Sequence, residues 1–316
     1  MKKILFLLLL PLFAISQNTI GLPDIINYSK LSYNAGLQNW DVKQDKNGIV
    51  YFANNEGLLS FDGKNWKLYP LPNKTIVRSV AIGSDHKIYV GGQDELGYFA
   101  PNANGNLVYY SLTALIPAKH RSFEDVWDIV SSGSALFFRS PNKIFQYTGG
   151  AITVFKAPSE WAYLTSCNGK LYAHDYQSGL MAFENDNWQP VVTNYSFSKT
   201  DPITGMIPSG SGAIITTLKS GILYFNNNII TPIKSGAANF LQNERIYSAI
   251  AINKEWTALA TSNSGVYIIN NRAEIIQKFS STEGLQSNNI LSIFLDNKQN
   301  LWLGLNNGLD FIAYNS

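Results

Sequence analysis

His86, His120 and His174 are the three histidines of this 316-residue chain, and Cys167 is its one cysteine. Nucleophilic or transition-metal chemistry would have to be assembled from them, because imidazole and thiolate are the side chains best able to bind such metals or to attack carbon near neutral pH. Their spacing offers no assembly. No two histidines share a ligand spacing, and HExxH, GxSxG, GxxxxGK[ST] and Cys-His arrangements are absent. The adjacent His174 and Asp175 could form an acid/base pair, but His174 reads better as an exposed turn residue between two strands. A lone cysteine rules out an internal disulfide framework and a multi-thiolate metal site. The expectation is therefore no catalytic residue, no metal and no cofactor.

Oxygen-rich runs at 45–48 (DKNG) and 296–300 (DNKQN) invite a calcium reading, yet they lack the alternation and terminal Glu of a calcium loop. Asp and Asn in such runs serve the backbone of a turn. A second chemistry is suggested by aromatic, amide and charged residues, the set that stacks on and hydrogen-bonds a polar ring such as a sugar. Trp40, Arg78, Trp127, Arg139, Trp161, Tyr163, His174, Asp175, Lys219 and Tyr247 are the candidate ligand-binding residues, with Asn39, Asn263, Asn289, Asn306 and Asn307 beside them. The plainer reading of each is that Trp fills space and Asn makes turns. Whether they meet depends on the elements that carry them.

Those elements repeat. EGLQSNNILSIFLDNKQNLWLGLNNGLDF at 283–311 and GLQNWDVKQDKNGIVYFANNEGLLSF at 36–61 share one grammar: Gly-Leu-Gln, an apolar strand, a turn opened by Asp, an aromatic-centred strand, and a second Gly-Leu. The residue opening each third strand recurs at Gly57, Gly97, Lys143, Gly179, Gly221, Gly265 and Gly308, in steps of 36 to 46 residues. A period of about 42 residues with only short β segments is the mark of a propeller with one four-stranded blade per repeat. Seven second strands, from GIVYFAN to LWLGL, are β-branched and aromatic and are bounded by turn residues. The fold class predicted is all-β, a seven-bladed β-propeller of four-stranded blades.

The blades run roughly over 37–72, 73–116, 117–157, 158–198, 199–240, 241–282 and 283–316. The last unit stops after its third strand, so a closing strand at 24–32 is expected to pair beside 309–314 and complete the ring, removing two open sheet edges. In such a meander the lead-in to each first strand and the turn between second and third strands share the face around the channel mouth, which is where the candidate residues fall. Blade 3 departs most, with Lys143 where the others have Gly and a longer lead-in, TALIPAKHRSFEDVWDIV. Extra length of this kind is often functional.

Hydrophobic residues make up 45% of the chain and charged ones 15%, enough for a packed core without disulfides. A formal charge of +2 gives no electrostatic footprint for nucleic acid. Residues 1–17 read as a cleaved secretory signal: Lys2 and Lys3, an apolar run, then Ala14 and Ser16 at the small-residue positions. The run 4–15 contains Pro11 and is shorter than the roughly 20 residues that cross a bilayer, so no membrane span is expected in the mature chain. No cysteine follows the small residues, so lipid attachment there is not expected.

The unit GLQSNNILSIFLDNKQNLWLGLNNGL resembles the two-component regulator propeller repeat of bacterial periplasmic sensors. The start, from NYSKLSYNAGLQNWD onward, is similar to members in which the propeller leads to a triple-tyrosine β module, a membrane helix and a LuxR-type helix-turn-helix. What the resemblance implies is an exported, periplasmic sensor module, on the sensor side of the inner membrane within a longer regulator. It would detect a carbohydrate or other small polar ligand without catalysis, and could work as a homodimer or through downstream regulator domains. The alternatives are a stand-alone protein-binding scaffold, and a propeller lyase or quinone-dependent dehydrogenase, which would need convergent acid/base or metal groups in the channel.

Overall fold

In the computed structural model, residues 23–192 and 194–315 are described. The predicted leader at 1–17 lies outside them. Seven antiparallel four-stranded sheets form the molecule, and in six of them the strands follow chain order from inside to outside. Their first strands are Asn39–Gln44, Val77–Ile82, Asp128–Ser132, Trp161–Cys167, Ile203–Ser209 and Ile246–Ala251. The seventh sheet combines Ile290–Leu295, Leu301–Leu305 and Gly308–Ile312 with Ile25–Tyr28, from the other end of the chain. Each first strand touches the next, and that of blade 7 touches that of blade 1, so the array closes into a ring. The chain is a seven-bladed all-β propeller.

Each blade is hydrophobic on both faces, because each is sandwiched between neighbours. The second strands Val50–Asn54, Ile88–Gly92, Ala135–Arg139 and Leu301–Leu305 are therefore buried along their whole length. The core is accordingly a set of inter-blade layers. Where blades approach closely, side chains must be small: a Cβ on Gly304 would lie 2.2 Å from Ser292 Oγ and 2.3 Å from the Asn39 carbonyl oxygen.

Closure is made by Ile25–Tyr28, which pairs Ile25 with Ile312 and Tyr28 with Leu309. The strand is shorter than the 24–32 expected. Lys30–Tyr33 instead forms one helical turn that ends at Asn34 in the left-handed region, φ 48°, which turns the chain inward to blade 1. Asn27 Nδ2 donates to Asp310 Oδ1 at 2.7 Å and to the Gly284 carbonyl at 3.1 Å. Tyr28 lies between the blades at either side of the closure, with ring centroids 5.9 Å from Trp302, 5.6 Å from Phe61 and 5.2 Å from Trp66.

The oxygen-rich runs are turns. Asp45 Oδ1 accepts from the Asn47 and Ile49 amides at 2.9 and 3.0 Å, and Asp296 Oδ1 from the Lys298 and Asn300 amides at 2.8 and 2.9 Å. The outer hairpins use residues that tolerate positive φ, as at Gly63 (96°), Asn185 (50°) and Asn227 (48°).

Candidate functional site

Six of the seven first strands carry a β-bulge at the end nearest the turn between second and third strands. In blade 1 Asn39 pairs with Asn54 and Asp41 with Ala53, leaving Trp40 as the extra residue. The same irregularity singles out Arg78, Ala162, Thr204, Tyr247 and Leu291. In blade 3 Trp127 holds the equivalent place, one residue before Asp128, with its amide donating to the Arg139 carbonyl at 2.9 Å. A bulge re-aims one side chain out of the pleat. The consequence is visible in burial: the residues just before these positions, such as Val77, Val126 and Ile246, are fully buried, whereas the seven bulge-position residues all reach solvent. They form the rim of the channel mouth.

The rim is lopsided. Trp40, Arg78 and Trp127 come from three consecutive blades, and the Arg78 guanidinium carbon lies 4.3 Å from the Trp40 ring centroid and 4.6 Å from that of Trp127. The two indoles meet edge to face at 5.8 Å. Each cation–π contact of this kind is worth about 0.5 to 2 kcal/mol. Trp40 is fixed from behind by its Nε1, which donates to Asn55 Oδ1 at 2.7 Å. Asp125 Oδ2 accepts from Arg78 Nε at 3.2 Å, and among the described residues the guanidinium makes no other hydrogen bond, its Nη1 being buried without a partner. Asp125 Oδ1 is also without a partner among the described residues. Arg78 is thus a cation stacked on two indoles, with its Nη groups unpartnered among the described residues. Tyr247, from blade 6, is 36% exposed. Burial raises its hydroxyl pKa, while the positive charges of Arg78 and Arg139 oppose the shift. Ala162 and Thr204 fill the rim positions of blades 4 and 5 with small side chains.

The remaining predicted residues lie deeper and brace the ring. Arg139 is buried; its Nε pairs with Asp128 Oδ2 at 2.5 Å and its Nη1 donates to the Trp161 carbonyl at 2.9 Å, so it ties blade 3 to blade 4. Trp161, expected as a stacking surface, is 1% exposed and packs on Trp188 at 5.4 Å; it pairs with Asp175 one position before the bulge, which turns its side chain into the blade. His174, expected in an exposed turn, lies within the strand Lys170–Asp175 at 0% exposure, 4.7 Å from the ring of Phe197. Burial lowers its pKa to about 4, so the imidazole is neutral, with Nε2 lacking a partner among the described residues. Asp175 is buried and accepts from the amides of Ser159, Glu160, Gln177 and Ser178 at 2.8 to 3.0 Å. Tyr163 packs toward blade 5, its hydroxyl pKa raised by burial. Lys219 is an exposed turn residue whose amide is held by Asp201.

Sequence reasoning missed Asp125, which orients Arg78, and the pair Asp41 and Asp128. These last two follow Trp40 and Trp127 directly and reach the next blade: Asp41 Oδ2 accepts from the Val80 amide at 3.1 Å, and Asp128 Oδ2 from the Leu164 amide at 3.0 Å. The repeated Trp-Asp dipeptide was the available signal. Among the described residues no group of His, Cys, Asp or Glu is arranged to hold a metal ion.

Residues 284–307 match the family model described as the two component regulator propeller. The chain carries a two component regulator propeller repeat. No curated protein matches the sequence. Among solved structures, the chain is similar to the extracellular domain of a one component system from B. thetaiotaomicron, with a TM-score of 0.74 at 20% identity over 93% of this chain. It is also similar to the extracellular domain of a hybrid two component system from the same organism, with a TM-score of 0.71 at 20% identity over 94% of the chain. The chain spans only 40% and 42% of those two proteins. Virginiamycin B lyase from Staphylococcus aureus gives a TM-score of 0.70 at 14% identity, over 91% of this chain and 98% of the lyase. At these identities the likeness is one of fold.

Proposed function

We propose that this propeller is the ligand-sensing module of an exported bacterial regulator, and that it binds a small polar ligand, a saccharide or similar ring, at the channel mouth without turning it over. The repeat at 284–307 and the likeness to extracellular domains of one- and two-component systems support the sensor reading. The observation that carries the site is the guanidinium of Arg78, stacked on Trp40 and Trp127 with its Nε on Asp125 and its Nη groups without a partner among the described residues. Flat apolar faces and a fixed multi-donor cation at one rim are what a hydroxylated ring needs for stacking and orientation. Tyr247 would close over the ligand from blade 6, and the small Ala162 and Thr204 leave room beside it. The signal would pass to further regulator domains, or between two copies of the chain.

A thermal-shift screen of glycans and metabolites, followed by calorimetry on the hits, tests this. Trp127→Ala and Arg78→Gln should each cost about 2 kcal/mol or more of binding energy, since truncation also strands the polar partners. Unchanged affinity in both variants would refute the mouth as the site. Turnover of any hit would replace the sensor with an enzyme.

A further inference from the structure

Blade 3 concentrates positive charge outside the seven rim positions, on its lead-in and on the turn between its second and third strands. A cleft of about 490 Å³ opens there between the 3₁₀ turn Ala118–His120, the turn that leads into the strand Lys143–Thr148, and the end of the strand Ala151–Lys156. Its charged lining is Lys119, His120, Lys143 and Lys156, with Asn142 among its neutral groups; among the described residues no carboxylate lines it. Lys143 and Lys156 stand directly opposite each other across the two strands. Like charges so placed repel and are ordinarily avoided.

None of the three lysines is in an ion pair with a carboxylate among the described residues. The Lys143 ammonium donates to the Ser122 carbonyl at 2.7 Å and to Asn142 Oδ1 at 3.1 Å. Asp94 and Glu124 attract it from outside the cleft, but Asp94 Oδ1 already accepts from the Phe123 and Glu124 amides. Burial and the neighbouring Lys119, Lys156 and Lys143 lower the pKa of His120, whereas burial lowers that of Lys143 against the opposing pull of Asp94 and Glu124. The blade's two departures from the repeat, Lys143 in place of Gly and the long lead-in, both contribute to this cleft.

We propose that the cleft lined by Lys119, His120, Asn142, Lys143 and Lys156 is a second binding site, for an oxyanion of two or more negative charges, a sulfate or phosphate group. Such a group accepts hydrogen bonds on every oxygen and offsets several cations at once. The site is independent of the channel-mouth reading, because none of its residues belongs to the rim.

The test is a titration of the full chain with sodium sulfate, sodium phosphate, glucose 6-sulfate, glucose 6-phosphate and glucose, at ionic strength held constant with sodium chloride. Calorimetry and melting temperature are read together. Saturable binding of the anions and none of glucose is expected. Equal affinity for an inorganic anion and its glucose ester would mean a free oxyanion is recognised, and a tighter ester that the group is carried on a larger molecule. Lys156→Gln should lower anion affinity about tenfold or more, while the unliganded variant melts at or above the wild-type temperature because repulsion with Lys143 is relieved. Lys254→Gln, remote from the cleft, should change neither. Imidazole NMR should show the pKa of His120 rising on binding while that of the buried His174 stays fixed. Absence of saturable binding beyond the chloride control, equal losses in Lys156→Gln and Lys254→Gln, or binding that leaves His120 unmoved would each overturn the proposal.

Discussion

Tyr28 is where ring closure can be tested with one side chain. It sits on the strand Ile25–Tyr28, pairs with Leu309, and places its ring among Trp302 of blade 7 and Phe61 and Trp66 of blade 1. Truncation in Tyr28→Ala leaves the backbone pairing in place and removes three aromatic contacts, each worth about 0.5 to 1.5 kcal/mol beyond burial. A fully buried aromatic truncated to Ala costs about 3 to 5 kcal/mol. Tyr28 is only partly buried, so about 3 kcal/mol is expected. Ile26, two residues earlier on the same face of the strand, is 46% exposed, so Ile26→Ala should cost less than about 0.5 kcal/mol. Urea denaturation of both variants, with m-values checked against wild type, gives the comparison. Equal effects from the two, or no effect from Tyr28→Ala, would show that the strand is not docked between blades 7 and 1.

Cys167 is 2% exposed and burial raises its thiol pKa to about 11, so it should resist iodoacetamide at pH 8 in the folded protein and react promptly in denaturant. Cys167→Ala should cost about 1 to 2 kcal/mol by urea denaturation. His174 is held neutral, its folded pKa of about 4 lying below the ordinary 6.5. Its stabilising contribution is therefore complete above pH 6.5 and lost as the pH falls toward 4, on the order of 3 kcal/mol. Asp310, whose pKa burial raises, contributes in the opposite sense, so the comparison to make is wild type against His174→Gln, whose acid limb should be flatter. Asp175→Ala strips the acceptor from four backbone amides and should cost about 3 kcal/mol or more, read by the urea midpoint.

The architecture was legible because its determinants are local and periodic. The strand openings at Gly57, Gly179, Gly221, Gly265 and Gly308 all need positive φ, so the repeat was written in residue type itself. The closing strand could be read by counting. The site was legible only in part, since it depends on register. Trp127 and Trp161 both stand at the start of a first strand, but Trp127 is at the bulge position and Trp161 one residue before it. That offset of one residue sends one indole to the rim and the other into the core. Arg139 and His174 mislead for a related reason. At the equivalent positions of other blades stand Ala53, Gly91, Thr216, Ala260 and Gly304, small residues where blades meet, and nothing in a single repeat announces that a large side chain is buried there. Asp125 escaped notice because it precedes its blade's first strand and acts on Arg78 of the blade before.

The most direct test of the sensing account is a crystal structure of the propeller soaked with the best non-hydrolysed hit of the glycan and metabolite screen. The account predicts ligand density at the mouth rim, in contact with the faces of Trp40 or Trp127 and hydrogen-bonded to the free donors of Arg78. Density confined to another surface, or a cleaved ligand in the channel, would contradict it.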